Sequence, residues 1–479
     1  MITGNQTIDV FIFIFNYFIL FFAVSIMISY LVLALISSIS LTQYLRRNRF
    51  INYEVLLSFD HTPWVSLIAP AYNEGRTIEE NVHSLLSIKY NHFDVIVVND
   101  GSKDNSMDIL VRAFDLVRSD ILYLPVIPTK EVKGIYKSSN SAYSKLIVVD
   151  KFNGGKADAL NTGINISGNP YIVCIDVDCI MDRDVLLKLA KPFLEKSEKR
   201  IIATGGVVRI ANSCTIKSGK LIDVKAPDNL IARIQVIEYL RAFILGRMAW
   251  AKMDGLLIIS GAFGMFDREI VMKCGGYNTQ TVGEDMELVV RMRKYMILNK
   301  QPYQVQYIPD PLCWTEAPES YKILGKQRSR WTRGTMETLW MHKGMMLNPR
   351  YKILGLLSVP YWFLYEYLAP WIEFTGIFIS IILIIFNVIS WKYFLMFILF
   401  VYVFAVLFTT LALLAEEMTF KRYRRYRDLF KLIYAGMLEP FIFHPFTVYA
   451  SLKGNWEKMK GVKSWGDMTR SGFNTVPGK

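Results

Sequence analysis

An α/β domain with a largely parallel sheet, combined with α-helical transmembrane segments, is the fold class this sequence predicts. Three observations carry that expectation. Between residues 51 and 345, short β-type runs ending in polar groups alternate with helical stretches, the pattern of strand–helix–strand units. From Val10 to Leu45 there is no Asp, Glu, Lys or Arg, and Phe11 to Ile36 is almost continuously apolar, long enough to cross a bilayer. Hydrophobic residues make up 52% of the 479, high for a soluble protein, while 20% are charged, high for a wholly membrane-embedded one.

The first apolar run is followed, not preceded, by Arg46, Arg47 and Arg49. A cleaved signal peptide has the opposite order, and the positive-inside tendency puts the N-terminus outside and residue 50 onward in the cytoplasm. After a linker, Val65 to Ala69 reads as a strand, Pro70 to Gly75 as a loop containing Asn73 and Glu74, and Ile78 to about Ile88 as a helix capped by Thr77. Phe93 to Val98 reads as a second strand ending in Asn99-Asp100-Gly101-Ser102, with a helix over about 105–117. Leu146 to Asp150 is a third, followed by Asn153-Gly-Gly-Lys156 and a helix through Asn161.

Tyr171 to Asp178 is an apolar run ending in Asp176 and Asp178, which share a face because strand side chains alternate. Two like charges on one face favour a divalent cation between them. The same residues fit a strand end before an acidic helix cap near Met181–Asp184. In sheets of this type ligands bind beyond the carboxyl ends of the strands, where Asn73, Glu74, Asp100, Lys156, Asp176 and Asp178 are expected to converge.

Ile201 to Ile210 reads as a strand, 213–228 as a flexible polar insertion, and about 230–250 as a long helix. Leu256 to Ser260 reads as a buried strand breaking at Gly261. Asp285, after Gly283-Glu284, stands at the N-cap or first turn of a helix over 286–298. In a helix over 320–343, Gln327, Arg330 and Trp331 share one face, and a stacked Arg–Trp pair explains them on packing grounds alone.

Beyond Pro349 the apolar character returns. The stretch 353–389 is interrupted by Pro360 and Pro370, so an interfacial or bent first part precedes a crossing from about Trp371; 393–415 is a further crossing. The stretch 430–452, broken at Pro440 and Pro445, either crosses or enters and returns. Glu366, Glu373 and Glu439 are costly against lipid and are expected to face protein or a polar path. The resulting organisation is an N-terminal transmembrane helix and basic flank (1–50), a cytoplasmic domain (51–345), interfacial and transmembrane helices (346–452) and a basic tail (453–479).

The net charge of +13 clusters beside apolar segments, above all in Lys421–Arg427, which suits an anionic leaflet of the lipid bilayer rather than nucleic acid. The five cysteines contain no C-x-x-C pair and are expected to be reduced thiols packed as small hydrophobes. No Gly-Lys pair precedes Ser or Thr, and neither H-E-x-x-H nor G-x-S-x-G occurs, so P-loop, zinc-protease and serine-hydrolase chemistry lose their motifs. A carboxylate pair ready for metal, a Lys after two glycines and further acids at strand ends suit a nucleoside diphosphate.

In order, Asn99-Asp-Gly-Ser with Asp104, Gly154-Gly-Lys-Ala-Asp-Ala-Leu-Asn161, Asp176-Val-Asp178, Gly283-Glu-Asp285 and Gln327-Arg-Ser-Arg-Trp331 resemble the membrane-embedded family 2 glycosyltransferases over residues 62–345. These include the cellulose, hyaluronan, chitin and poly-N-acetylglucosamine synthases. The resemblance implies a Rossmann-like GT-A fold and inverting, processive transfer from a UDP-sugar donor to a glycan acceptor. It also implies a multi-pass protein of the bacterial cytoplasmic membrane, with room for an accessory secretion subunit. Asn73, Glu74, Asp100 and Lys156 would serve the nucleotide, and Asp176 and Asp178 the diphosphate with Mg2+ or Mn2+. Asp285, beside Glu284, would take the acceptor's proton. Gln327, Arg330 and Trp331 would hold the diphosphate and acceptor end, and Ser260 and Gly261 would line the acceptor entrance. The alternatives are single-sugar transfer to a lipid carrier and a non-catalytic nucleotide-sugar-binding subunit. Two departures stand out: Gly283 replaces the family's frequent Thr, and the 213–228 insertion is unfamiliar.

Overall fold

The computed structural model describes residues 6–57, 62–195, 197–217 and 219–461. Most of the tail expected at 453–479 therefore lies outside the described residues. Among the described residues the strands are β1 (Val65–Ala71), β2 (Phe93–Asp100), β3 (Leu116–Arg118), β4 (Val132–Ser138), β5 (Leu146–Lys151), β6 (Tyr171–Ile175), β7 (Ile180–Met181), β8 (Arg200–Ile210), β9 (Thr215–Lys217), β10 (Lys220–Asp223), β11 (Phe263–Asp267) and β12 (Tyr303–Thr315). Ten form one sheet in the order β3-β4-β5-β2-β1-β6-β11-β8-β12-β7.

The centre of that sheet is parallel: β1 runs alongside β2 and β6, and β2 alongside β5. Its outer parts are mixed, because β4 and β11 pair antiparallel with β5 and β6. Val65, Leu67, Ile68 and Ala69 are wholly buried, as a strand covered on both faces requires. Four parallel strands thus release their polar ends at one edge of the sheet, which is what assembles a site there.

The structure corrects three local expectations. Leu256, Leu257 and Ile259 are buried, but the stretch to Ser260 is not a strand; the place beside β6 belongs to β11, with Phe263 opposite Ile175. The backbone before it is satisfied by a side chain, because buried Arg293 donates from Nη1 to the Leu256 carbonyl at 2.6 Å. The helix expected over 105–117 ends at Ala113, and Leu116–Arg118 pairs with β4. The supposedly flexible 213–228 segment contains the β9–β10 hairpin, whose Gly219 carbonyl accepts from Ser84 Oγ at 2.8 Å.

Seven helices frame the strand-end loops and the apolar region: α1 (Gln6–Asn48), α2 (Lys156–Ile166), α3 (Glu284–Leu298), α4 (Tyr321–Met341), α5 (Trp391–Thr419), α6 (Tyr426–Ile442) and α7 (His444–Met459). Val10–Asn48 and α5 are long and apolar enough to cross a membrane. Leu354–Tyr367 and Ala369–Ile385 form a pair bent by 41°, with the break at Leu368, just ahead of Pro370, whose missing N–H interrupts the helical ladder. The stretch 430–452 is two helices, and α7 comes back against α4: Ser329 Oγ donates to Glu457 at 2.5 Å and Lys458 Nζ to Glu337 at 2.5 Å. Two of the apolar-region acids have partners, Glu439 with Arg241 and Glu373 with His444.

Candidate active site

The loops leaving β1, β2, β5 and β6 are stitched together in succession. Asn73, held at a φ of 56°, accepts from the Lys103 amide at 2.8 Å, and the Glu74 amide donates to Ser106 Oγ at 3.0 Å. The Gly75 amide donates to Asp104 at 2.9 Å, so the acid after the second strand fixes the loop after the first. Asp100, which is buried, receives the Gly154 and Gly155 amides at 2.9 and 2.8 Å. Lys151 Nζ, fully buried, lies 2.8 Å from Asp100 and 2.6 Å from Asp158, joining the end of β2 to the first turn of α2. Both carboxylate oxygens of Asp100 are thus engaged in shaping the glycine loop.

That loop delivers Lys156 at the start of α2. Its ammonium lies 2.5 Å from Asp176, 2.9 Å from the Gly261 carbonyl and 3.9 Å from Glu284. Burial works against its charge, but Asp176 and Glu284 more than offset this and hold it above the ordinary lysine range. The ligand atoms of Asp176, Asp178 and Cys179 lie within 4.8 Å of one another, a donor set that can hold a cation. The carboxylates are the hard oxygen donors that Mg2+ and Mn2+ take.

Across the Gly261 turn stands the first turn of α3. A Cβ at Gly261 would sit 2.7 Å from Asp285 Oδ2, so a larger residue here would push this carboxylate aside. Ser260 Oγ accepts from the Ala262 amide at 3.1 Å and fixes the same turn. Glu284 is buried beside Asp285; burial is the largest influence on its carboxyl and pushes it up to about 7, against the pull of Lys156 and with the help of Asp285. One cleft is lined by Lys156, Asp176, Ser260, Gly261, Glu284 and Asp285.

Helix α4 closes the other side. Arg330 is near enough to lower the proton affinity of both Glu284 and Lys156. Gln327 turns a buried Oε1 inward with no hydrogen bond among the described residues. Trp331 is exposed, and the arginine stacked on it is Arg328, 4.1 Å above the ring, not Arg330. Gly283 explains its own departure from the family pattern: a Cβ there would lie 2.6 Å from Gly334 Cα. The two backbones touch, which sets α4 directly against the turn carrying Asp285.

Two family models match this chain: "Glycosyl transferase family 2" over residues 66–274 and "Glycosyl transferase family group 2" over residues 171–408. Together they run through the sheet, the cleft and the first of the later helices. The chain belongs to the family 2 glycosyltransferases. This glycosyltransferase is 26% identical over 283 residues to a poly-beta-1,6-N-acetyl-D-glucosamine synthase of Staphylococcus aureus, covering 59% of this chain and 57% of the relative's length. The matched stretch is thus little more than half of that protein. A Staphylococcus epidermidis protein of the same name is 26% identical over 348 residues, 71% of each chain. In fold, the glycosyltransferase is similar to a mannosyltransferase from Pyrobaculum calidifontis solved with GDP-Man and Mn2+, with a TM-score of 0.51 at 19% identity, over 91% of this chain and 99% of that one.

Sequence reasoning missed several groups that shape the glycosyltransferase site. Lys151 stands one residue past the expected strand and carries no motif. Glu337 accepts from Thr281 Oγ1 at 2.7 Å and the Val282 amide at 2.9 Å, tying the turn before Asp285 to α4. Gly334, a glycine three residues after Trp331, was the one available signal of a close helix approach.

Proposed function

We propose that this glycosyltransferase transfers a sugar from a UDP-sugar, with inversion at C1, to the end of a growing exopolysaccharide at a bilayer. The observation that carries the proposal is the shared cleft, in which Lys156 and Asp176 stand on one side of the Gly261 turn and Asp285 on the other. A nucleoside diphosphate and an acceptor hydroxyl need separate, adjoining places, and this arrangement supports both.

In this reading Asp285 Oδ2 accepts the proton of the acceptor hydroxyl as that oxygen attacks C1. The bond from C1 to the diphosphate oxygen breaks, and the UDP leaves with the electron pair. A general base of this kind contributes roughly 10²- to 10⁴-fold, about 3 to 5 kcal/mol. Mg2+ or Mn2+ held by Asp176 and Asp178 would supply positive charge to the leaving diphosphate. Lys156 and Arg330 add fixed positive charge beside it, and a unit pair at 4 Å is worth about 4 kcal/mol at an effective dielectric near 20. The Asn73–Gly75 and Asn153–Gly155 loops, held by Asp104 and Asp100, form the floor for the nucleoside. Trp331 and the Ser260–Gly261 turn receive the acceptor end.

The match to polysaccharide synthases and the apolar helices directly after α4 support processive synthesis, with residues 51–345 on the cytoplasmic side of a bacterial membrane. Full-length protein in detergent, supplied with Mg2+ or Mn2+ and a panel of UDP-sugars, should release UDP with one of them and make a product extended by many units. No UDP release with any donor would sink the proposal, and a product carrying one added sugar would remove processivity from it.

A further inference from the structure

We infer that Lys458 and Glu337 are positioning residues for the proposed transfer: through this ion pair, helix α7 fixes the turn that carries Asp285. The inference rests on the reading of Asp285 as the base and adds to that site a part contributed by a late segment of the chain.

Glu337 lies on α4 and is buried, at 8% exposure. Its Oε2 accepts from Thr281 Oγ1 at 2.7 Å and from the Val282 amide at 2.9 Å, and its Oε1 accepts from Lys458 Nζ of α7 at 2.5 Å. The Thr281 hydroxyl in turn accepts from the Gly283 amide at 3.1 Å, two residues before Asp285. A continuous line of hydrogen bonds thus runs from α7, through one carboxylate, to the turn that starts α3. Backbone packing follows the same route: a Cβ at Gly454 of α7 would sit 2.6 Å from the Ser329 carbonyl oxygen of α4, and a Cβ at Gly334 of α4 would sit 2.7 Å from Gly283 Cα. Helix α4 is therefore gripped between α7 and the Asp285 turn.

Of the groups that donate to Glu337 among the described residues, Lys458 alone carries a charge. Burial disfavours the Glu337 carboxylate, and Lys458, Thr281 and Val282 together outweigh it, holding its carboxyl below the usual range. A buried carboxylate that loses its cation is left uncompensated, so it turns toward water or takes up a proton. Either response loosens the two hydrogen bonds to Thr281 and Val282, and the turn before Asp285 loses its tether. Neither Glu337 nor Lys458 lines the cleft, so both act on the acceptor's proton only through that turn.

The test measures single-turnover UDP release and UDP affinity of the full chain in detergent, with Mn2+ and the donor that supports release. Lys458→Met should slow release about tenfold or more while UDP affinity falls far less, because small displacements of a reacting group are costly in rate. Lys458→Arg keeps the charge and the donor and should recover most of that loss. Lys453→Met removes the same charge from the same helix, at a residue whose ion pair with Glu457, at 3.8 Å, stays within α7, and should leave release at the wild-type rate. Thr281→Val cuts the same line from the turn side and carries the test if Lys458→Met does not fold. Combined with Lys458→Met, it should slow release no further than the slower single variant, as two cuts in one line do. Wild-type release in Lys458→Met and Thr281→Val, an equal fall in Lys453→Met, or additive losses in the double variant overturns the inference. Asp285→Asn, run beside them, separates the two claims. Wild-type release there counts against Asp285 as the base, whereas slow release there with wild-type release in Lys458→Met counts against this inference alone.

Discussion

The two sides of the cleft are built on different principles. On the nucleotide side, the strand-end loops are locked by hydrogen bonds and ion pairs among themselves: Asp104 holds Gly75, Asp100 holds Gly154 and Gly155, and Lys151 bridges Asp100 and Asp158. On the acceptor side, Asp285 is held by close packing, with Gly261 beneath it and the Gly283 backbone against Gly334 of α4. Helix α4 in turn rests on α7, through Glu337–Lys458 and Ser329–Glu457. The nucleotide side is therefore set by the strand ends and the first turn of α2, while the proposed base is set by the helices that come after it in the chain. A change in how those helices sit would reach Asp285 without disturbing the nucleotide loops.

Breaking the nucleotide side should show first as lost stability. Lys151→Met leaves Asp100 and Asp158 buried without their cation, and losing one partner of such a pair costs about 3 to 5 kcal/mol. Thermal unfolding should report it as a large fall in midpoint; an unchanged midpoint would mean that Lys151 does not hold these loops.

The contrast sharpens at Glu284, the charged group between the two sides. Its proton is bound more tightly in the folded chain, at about 7, than in the unfolded one, at 4.5. From about pH 4.5 to 7 the folded state therefore holds more protons than the unfolded state, and stability falls as pH rises, levelling off above 7. The total is on the order of 3 kcal/mol. Glu284→Gln should flatten that part of the unfolding profile, and a profile identical to wild type would contradict the assignment.

Breaking the acceptor side should instead lower turnover while sparing the nucleotide. In Gly334→Ala the new Cβ would meet Gly283 Cα at 2.7 Å, so α4 must move away from the turn that carries Asp285. A displacement approaching 1 Å can cost about a hundredfold in rate, and UDP affinity should fall far less, because α4 gives the diphosphate only the charge of Arg330. Equal losses in both would erase the distinction between the sides. The smallest effect is expected for Arg328→Lys, which weakens the stack on Trp331 by about 1 kcal/mol and should raise the acceptor KM about fivefold with little change in UDP affinity.

The same division governs what the sequence makes legible. Asp100, Lys156, Asp176 and Asp178 are visible because each follows an apolar run or a glycine pair within a few residues, so local pattern alone puts them at strand ends. The acceptor side depends on contacts between distant segments. Nothing in the periodicity of Leu256–Ser260 says that β11 will take the place beside β6, nor that Arg293 will satisfy the carbonyl left over. The i, i+3, i+4 pattern from Gln327 draws the eye to Arg330, yet Arg328, itself three residues before Trp331, is the arginine on the ring, and the charge of Arg330 acts on Glu284. Gly283 looks like a departure from the family until Gly334 is found against it.

The most direct test of the account is single-turnover UDP release from Asp285→Asn, measured beside UDP-sugar affinity in the same preparation. Wild-type-like affinity with release slowed by about 10²- to 10⁴-fold is the predicted result, because the amide fills the same space beside Gly261 but accepts no proton. Release at the wild-type rate would contradict the assignment of the proton to Asp285 and with it the division of the cleft into a nucleotide side and a base side.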